Sequence, residues 1–126
     1  VANNNDNLTN YGSSLLNNGK KNSTSTKYVT VYPNNDSGIT DLDTAANKNY
    51  EVNTKIYGDA IRETSTSGVE QNSWYSDYSY FVGYYHPFFV RGGNFWNRLG
   101  AGLFYFNRTT GTSVYHTGFR AVLVAR

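Results

Sequence analysis

Short apolar runs alternate with polar loops over residues 80–126, and this alternation organises the chain. Over 118–125, apolar side chains occupy both sets of alternate positions, which predicts a central strand covered on both faces. Over 103–107, the two-residue period predicts that Phe104 and Phe106 point into the core. The other face of that strand is expected to present Leu103, Tyr105 and Asn107 outward.

The apolar run 88–90 predicts another strand, which leaves the core at Arg91. Gly92 and Gly93 follow directly, and glycine adopts positive φ without a steric penalty. We therefore expect the chain to turn outward there, into a loop over 94–99.

Upstream, the pattern predicts fewer regular elements. Residues 27–32 alternate and are rich in β-forming side chains, so they predict the first strand, followed by a turn over 33–38. Residues 49–57 are interpreted as a strand or a short helix. A compact motif over 57–65 and a loop over 66–73 complete this half of the chain.

A capped helical turn is predicted at Thr40, because Asp41 and Asp43 place carboxylates near the positive end of a helix. The oxygen-rich side chains around it leave a calcium loop as an alternative. The residues of that alternative are Asn34, Asn35, Asp36, Asp41 and Asp43. EF-hand spacing and a closing glutamate are both lacking, so turn and cap chemistry is favoured and no metal is expected.

Residues 1–26 form a polar segment rich in Asn and Ser, which we expect to pack on the domain or lead into it. Its few apolar residues have a spacing that allows one short amphipathic helix, although Asn and Ser compete with helix backbone. These apolar residues are Leu8, Tyr11, Leu15 and Leu16. We assign 27–126 to one domain, because 126 residues are enough for a single core.

Charge and aromatic content change abruptly along the chain. Asp77 is the last acidic residue and Lys55 the last lysine, so arginine carries every formal side-chain charge after Tyr78. Of 21 aromatic residues, 16 lie at or after Trp74, interleaved with Asn, Gly, Ser and Thr. Antibody-like paratopes have this composition, because rigid rings supply contact area and small polar residues supply adaptable hydrogen bonds. The C-terminal loops are therefore predicted to bind a partner.

Several function classes are excluded by composition. A net charge of +2 without a basic cluster argues against nucleic acid, and no apolar run is long enough for membrane insertion by this segment. Cysteine is absent, which removes disulfides and cysteine nucleophiles. His86 and His116 have no metal-ligand spacing and no acidic neighbour, so a contact role is favoured. We expect neither catalytic residues nor a cofactor.

Three charged residues lie in stretches whose other residues are predicted to be buried: Glu63, Arg91 and Arg120. Buried charges persist only when they are paired and hydrogen-bonded. We expect Glu63 to pair with Arg120. Arg91 is expected to be satisfied by turn carbonyls, by Asp59 or by Asp77, in a structural role.

Short blocks occur in a fixed order: Gly58-Asp59 with Glu63, then Arg91-Gly92-Gly93-Asn94-Phe95-Trp96, Ala101-Gly102, and Gly118-Phe119-Arg120. They resemble the formylglycine-generating-enzyme-like branch of the C-type lectin fold, with its G-N-V-x-E-W, R-G-G-S-W and G-F-R blocks. Within that branch the chain is most similar to the variable proteins of diversity-generating retroelements of gut bacteria and their phages. The resemblance covers roughly residues 56–124.

The chain departs from this pattern in two ways. Its first block carries an extra residue and ends in Thr64 rather than tryptophan. The enzymes of the branch act through cysteines, and this chain has none, so their oxidase activity is not expected.

The resemblance implies an α+β, C-type lectin-like fold with small twisted antiparallel sheets, one or two short helices and long loops. It also implies variable binding loops within 82–117. Mutation of template adenines in asparagine codons cannot produce Lys, Glu, Gln, Met or Trp in that family. The first four are absent from 82–126, and Trp96, the exception, is therefore expected to belong to the scaffold.

Roles carried over by position divide the residues into two sets. The side chains expected to contact ligand are Tyr84, Tyr85, His86, Asn94, Phe95, Asn97, Arg98, Leu99, Leu103, Tyr105, Asn107, Arg108, Ser113, Tyr115 and His116. The structural set is Glu63, Arg91, Gly92, Gly93, Trp96, Phe119 and Arg120. A core position remains the alternative for Phe95 and Leu103.

The function implied is non-enzymatic capture of a protein or glycan on a cell surface, as a receptor or adhesin. The alternative is a structural head domain of a pilin-like or phage tail-fibre subunit. Calcium-dependent sugar binding is disfavoured, because residues 78–126 contain no carboxylate side chain. The chain begins at Val1 rather than Met, so we expect either a processed product or the terminal domain of a longer protein, located at the cell surface, outside the cell or on a virion. Assembly with a parent filament or virion would fit that expectation.

Overall fold

The computed structural model of the chain describes residues 2–3, 30–53, 58–93 and 98–112. Within them the strands are β1 (Ala2–Asn3), β2 (Thr30–Val31), β3 (Val69–Glu70), β4 (Ser79–Tyr80), β5 (Phe88–Arg91) and β6 (Phe106–Thr109). The helices are α1 (Leu42–Val52) and α2 (Ile61–Thr64), with short 3₁₀ turns at Trp74–Ser76 and Leu99–Ala101. The described part is therefore α+β. Most of the segment 1–26 and the predicted strand 118–125 lie outside the described residues.

The strands form one mixed sheet in the order β2-β1-β5-β6-β4-β3. β5 and β6 are antiparallel, with Phe88 opposite Thr109 and Arg91 opposite Phe106. β1 pairs with β2, and β4 with β6, in parallel. The expectation of purely antiparallel sheets is therefore wrong at two pairs, because long connections allow a strand to return in the same direction.

Five aromatic rings in and beside the core meet edge to face: Tyr32, Tyr50, Phe81, Phe89 and Phe106. The ring of Tyr32 lies 5.0 Å from that of Phe81 and 5.5 Å from that of Phe89. Phe89 in turn lies 5.1 Å from Phe81 and 5.8 Å from Phe106. Edge-to-face contacts fix ring orientation as well as burying area, so β5 and β6 rest on a rigid layer. The predicted core position of Phe106 is confirmed.

The N-cap of α1 is Asp41, one residue after the predicted cap at Thr40. The Asp41 carboxylate accepts the backbone N–H of Thr44 at 2.7 Å, and hydrogen bonds from the Thr44 side chain and backbone lower the pKa of Asp41. The helix extends to Val52, so the first residues of the ambiguous stretch 49–57 are helical. Among the described residues, no helix has the length and apolar character needed to cross a membrane.

One loop prediction and one strand prediction need correction. The predicted loop 66–73 contains β3, which pairs with β4 as an edge strand. The strand predicted over 103–107 begins only at Phe106, because the chain turns at residues 102–104. That turn is held by Asp77, whose carboxylate accepts the backbone N–H of Phe104 at 2.8 Å. A side chain at Gly102 would collide with the same carboxylate, at 1.7 Å from its nearest oxygen.

Candidate binding surface

Two tyrosines predicted to face a ligand stand at the tip of a tight turn. Gly83 and His86 exchange backbone hydrogen bonds of 3.1 Å, and the Asp36 carboxylate accepts the N–H of Tyr84 at 2.5 Å. Tyr84 and Tyr85 are 41% and 40% exposed, with ring centroids 5.2 Å apart, edge to face. The turn therefore holds two amphipathic rings at the surface on a fixed backbone.

His86 leans inward from the same turn. Its ring is half-buried, and the buried Nδ1 atom has no hydrogen-bond partner among the described residues. Burial lowers the pKa of His86, and the positive charge of Arg108 lowers it further. The neutral imidazole is therefore favoured, and only part of its surface is accessible.

Arg108 is not displayed as the sequence predicted. Its side chain is 10% exposed, pairs with the Asp43 carboxylate at 3.1 Å and donates to the Leu42 carbonyl at 2.5 Å. The guanidinium also lies 4.7 Å from the centre of the Tyr80 ring. A hydrogen bond with Tyr78, together with burial, raises the pKa of Tyr80 to about 12. Arg108 thus joins β6 to the start of α1 instead of facing a ligand.

The alternation predicted over 103–107 also fails at Tyr105. Tyr105 is buried beside Phe106, and its hydroxyl accepts a hydrogen bond from the Asn107 amide at 3.0 Å. Successive buried side chains are possible because Tyr105 precedes the strand and need not follow the two-residue period. Leu103 is 83% exposed, so its core alternative is wrong. Phe104, predicted to be core, is only half-buried.

The outward turn after β5 is present. Gly92 has φ +83°, a conformation that favours glycine, and it is exposed. Arg91 is exposed too, which corrects the expectation of a buried charge, and it donates to the Asp59 carbonyl at 3.1 Å. The Glu63 carboxylate accepts the N–H of Gly58 at 3.4 Å. Its predicted partner Arg120 lies outside the described residues.

Other predicted positions are only partly described. Arg98 is exposed, at the start of the turn that contains Leu99. The remaining ligand positions lie outside the described residues: Asn94, Phe95, Asn97, Ser113, Tyr115 and His116. So do the structural positions Trp96, Phe119 and Arg120. The exposed members of the predicted set are therefore Tyr84, Tyr85, Arg98 and Leu103, with His86 and Asn107 half-buried.

An exposed aromatic cluster beside this set was missed by sequence reasoning. Trp74 and Tyr75 are 55% and 89% exposed. The Tyr75 ring stacks on Phe104 at 5.8 Å with an interplanar angle of 6°, and Trp74 meets the same ring edge-on at 5.3 Å. Adjacent Trp and Tyr after the polar stretch 70–73 were the available signal.

The three carboxylates considered as calcium ligands bind protein groups instead. Asp36 accepts from Tyr84, Asp41 caps α1, and Asp43 pairs with Arg108. Within the described ranges, no three His, Cys, Asp or Glu side chains are grouped so that they could hold a metal ion.

No protein-family model, curated protein or solved structure matches the chain. The class of site is inferred from its own geometry: two exposed tyrosines on a turn held by hydrogen bonds, and an exposed arginine on the connection that follows β5. Such a surface suits binding by contact area and polar complementarity.

Proposed function

We propose that the chain is a non-enzymatic ligand-binding domain of the C-type lectin fold, a variable protein that captures a protein or glycan on a cell surface. The observation that carries the proposal is the Tyr84–Tyr85 turn. It presents two exposed rings on a backbone that the Asp36 carboxylate and the Gly83–His86 hydrogen bonds hold in place.

A turn held in this way favours affinity for a physical reason. Binding must order the side chains and loops at an interface, and pre-formed aromatic anchors reduce that entropic cost. Tyrosine, tryptophan and arginine dominate the energetic centres of protein interfaces. Arg98, which is exposed on the connection between β5 and β6, supplies charge-assisted hydrogen bonds to a carboxylate or sulfate on the partner.

The assignment to variable proteins rests on sequence blocks, with two features of the fold in its favour. The described part is α+β, and Gly92 makes the outward turn that the Arg91-Gly92-Gly93 block predicts. The coding DNA tests the assignment directly. A near-copy of the 3′ end that differs only at adenines, beside a reverse-transcriptase gene, is the expected finding.

The binding function is tested with the double variant Tyr84→Ala/Tyr85→Ala on an array of cell-surface proteins and glycans. We expect the wild-type chain to be captured and the variant to lose at least about 100-fold in affinity, because two anchors of ~1.5–2 kcal/mol each are removed. The matched control is Leu42→Ala/Val52→Ala, which removes two similarly exposed side chains from α1. Equal capture by the variant and the wild type would contradict the proposal, as would loss of capture that merely follows a large drop in melting temperature.

A structural head domain is the second candidate, because exposed aromatic side chains also bury well between neighbouring subunits. Tyr75 and Leu103 are the most exposed large hydrophobic residues in the described part of the chain. Light scattering over a range of concentrations separates the two functions. A binding domain is expected to stay monomeric, whereas a filament subunit is expected to self-associate.

A further inference from the structure

A second surface lies on residues 71–78, the connection between β3 and β4, outside the proposed binding loops. A cleft of about 450 Å³ opens there, lined by Glu70, Gln71, Asn72 and Tyr78. This volume falls in the range of roughly 300–1,000 Å³ that is usual for small-molecule sites. Nothing in the proposed capture by Tyr84 and Tyr85 uses this cleft.

The polar groups that line the cleft are available to a ligand. Glu70 and Gln71 are exposed, and neither side chain has a hydrogen-bond partner among the described residues. The Asn72 side-chain NH₂ donates to the Val69 carbonyl, which leaves the amide oxygen of Asn72 as an acceptor. Planar carboxylate and amide groups each offer two polar atoms, the arrangement that suits two neighbouring hydroxyl groups.

The same connection carries the exposed rings of Trp74 and Tyr75. Tyr75 stacks on Phe104, so its ring is held in place although 89% of the residue is exposed. The C–H face of a pyranose ring packs on such an aromatic face through apolar contact and weak C–H interactions. Polar planar groups and an aromatic platform on one short connection are complementary to a sugar, which has hydroxyl edges and an apolar face.

The charge near the cleft selects among sugars. No lysine or arginine occurs between Arg62 and Arg91, whereas Glu70 and Asp77 both lie on or beside this connection. Carboxylates repel carboxylate, sulfate and phosphate groups, so an acidic glycan is disfavoured. A neutral ligand meets no such penalty.

Backbone strain is concentrated on the same segment. Glu70, Tyr75 and Ser76 have φ of 69°, 61° and 59°, and they are three of the four non-glycine residues with positive φ in the described ranges. Non-glycine residues avoid this region, and strained residues cluster at ligand-binding sites because the surrounding structure must hold them there. Tyr75 has a strained backbone and is also exposed, so packing in a core does not explain its conformation.

We propose that the cleft of Glu70, Gln71, Asn72 and Tyr78, together with the Trp74–Tyr75 platform, binds a neutral oligosaccharide without a metal ion. The amide and carboxylate groups hold the hydroxyls, and the aromatic rings pack on the apolar face of one sugar ring. This site is separate from the Tyr84–Tyr85 turn.

The full chain is first screened on an array of neutral glycans and then titrated by calorimetry with cellotriose, maltotriose and triacetylchitotriose. At least one neutral glycan is expected to bind, equally well with and without EDTA. Tyr75→Ala and Gln71→Ala are each expected to weaken binding about tenfold, because each removes one contact from the ligand. The control Leu42→Ala/Val52→Ala removes two exposed side chains of α1, outside both surfaces, and is expected to bind the glycan as the wild type does.

Several results would overturn the proposal. They are the absence of binding to any neutral glycan, binding that both Tyr75→Ala and Gln71→Ala leave unchanged, and loss of binding in EDTA. Tighter binding of 3′-sialyllactose than of lactose would contradict the expected preference for neutral over acidic sugars. Tighter binding of trilysine than of any neutral glycan would assign the cleft to cationic peptides. Circular dichroism of each variant separates loss of contact from loss of fold. Loss of glycan binding in Tyr84→Ala/Tyr85→Ala, with Tyr75→Ala and Gln71→Ala unchanged, would assign the glycan to the capture turn and overturn the cleft. Failure of capture by the Tyr84–Tyr85 turn leaves the cleft proposal intact, because the cleft is lined by neither residue.

Discussion

The buried carboxylate of Asp36 accepts the backbone N–H of Tyr84 at 2.5 Å, across 48 positions of the chain. The same Oδ2 atom would lie 3.1 Å from a Cβ placed on Gly83, so it packs tightly under the turn. One side chain from the loop before α1 thus holds the backbone of the proposed ligand-binding turn. The stability of the fold and the position of the exposed tyrosines depend on the same contact.

Replacing Asp36 with alanine is expected to lower the free energy of unfolding by ~1–3 kcal/mol, because the Tyr84 N–H loses its buried acceptor. Urea unfolding measures this loss. Asp36→Asn, which keeps an acceptor oxygen, is the matched control and should cost less than half as much. If both variants were as stable as the wild type, the contact would not hold the turn.

Arg108→Ala is expected to cost ~1–2 kcal/mol of unfolding free energy, since it removes hydrogen bonds to Asp43 and Leu42 and the packing on Tyr80. Arg108→Lys should recover only part, because lysine lacks the planar fork. Asp43→Asn should cost less than ~1 kcal/mol, since Asp43 is half exposed. Normal stability combined with lost capture in Arg108→Ala would instead return Arg108 to the ligand-contacting set.

The stability of the chain should fall as the pH is lowered from about 7.5 to about 5, in part because of His86. Burial holds the pKa of His86 below its usual value of 6.5. The usual value applies to the unfolded chain, and the lowered value applies to the folded chain. At a pH between the two, His86 binds more protons in the unfolded chain than in the folded one. The contribution of His86 to the free energy of unfolding is therefore complete above pH 6.5 and is lost as the pH falls through the folded pKa.

Urea unfolding of the wild type and His86→Gln at both ends of this pH range measures the effect. The loss on acidification should be smaller in the variant. His116 is the only other histidine and is unchanged in both proteins, so its contribution cancels. Equal losses would mean that His86 titrates as in the unfolded chain.

Ser76→Gly is expected to raise the free energy of unfolding by ~0.5 kcal/mol. Ser76 is exposed with φ 59°, and relief of this conformation outweighs the greater freedom of glycine in the unfolded chain. Ser37→Gly is the matched control, because Ser37 is exposed but has no positive φ. The control should lose ~0.5–1 kcal/mol. Thermal and urea unfolding that showed equal losses for both variants would mean that residue 76 is not strained.

Local patterns were enough to predict several elements. The strand Phe88–Arg91 and the turn at Gly92 follow from an apolar run that ends in glycines. The core position of Phe106 and the exposure of Tyr84 and Tyr85 were also predicted correctly. These features depend on properties of neighbouring residues, which a two-residue period or the freedom of glycine can express.

Contacts between distant residues decided the rest. Arg108 is enclosed because Asp43, 65 positions earlier, lies in the first turn of α1 and pairs with it. Phe104 turns away from the core because the Asp77 carboxylate holds its backbone, and β6 therefore starts later than alternation predicts. The Trp74–Tyr75 platform depends on Phe104, whose ring packs against both side chains. Periodicity carries no information about which distant side chain occupies the facing position, so burial at these sites emerges only when the chain is folded.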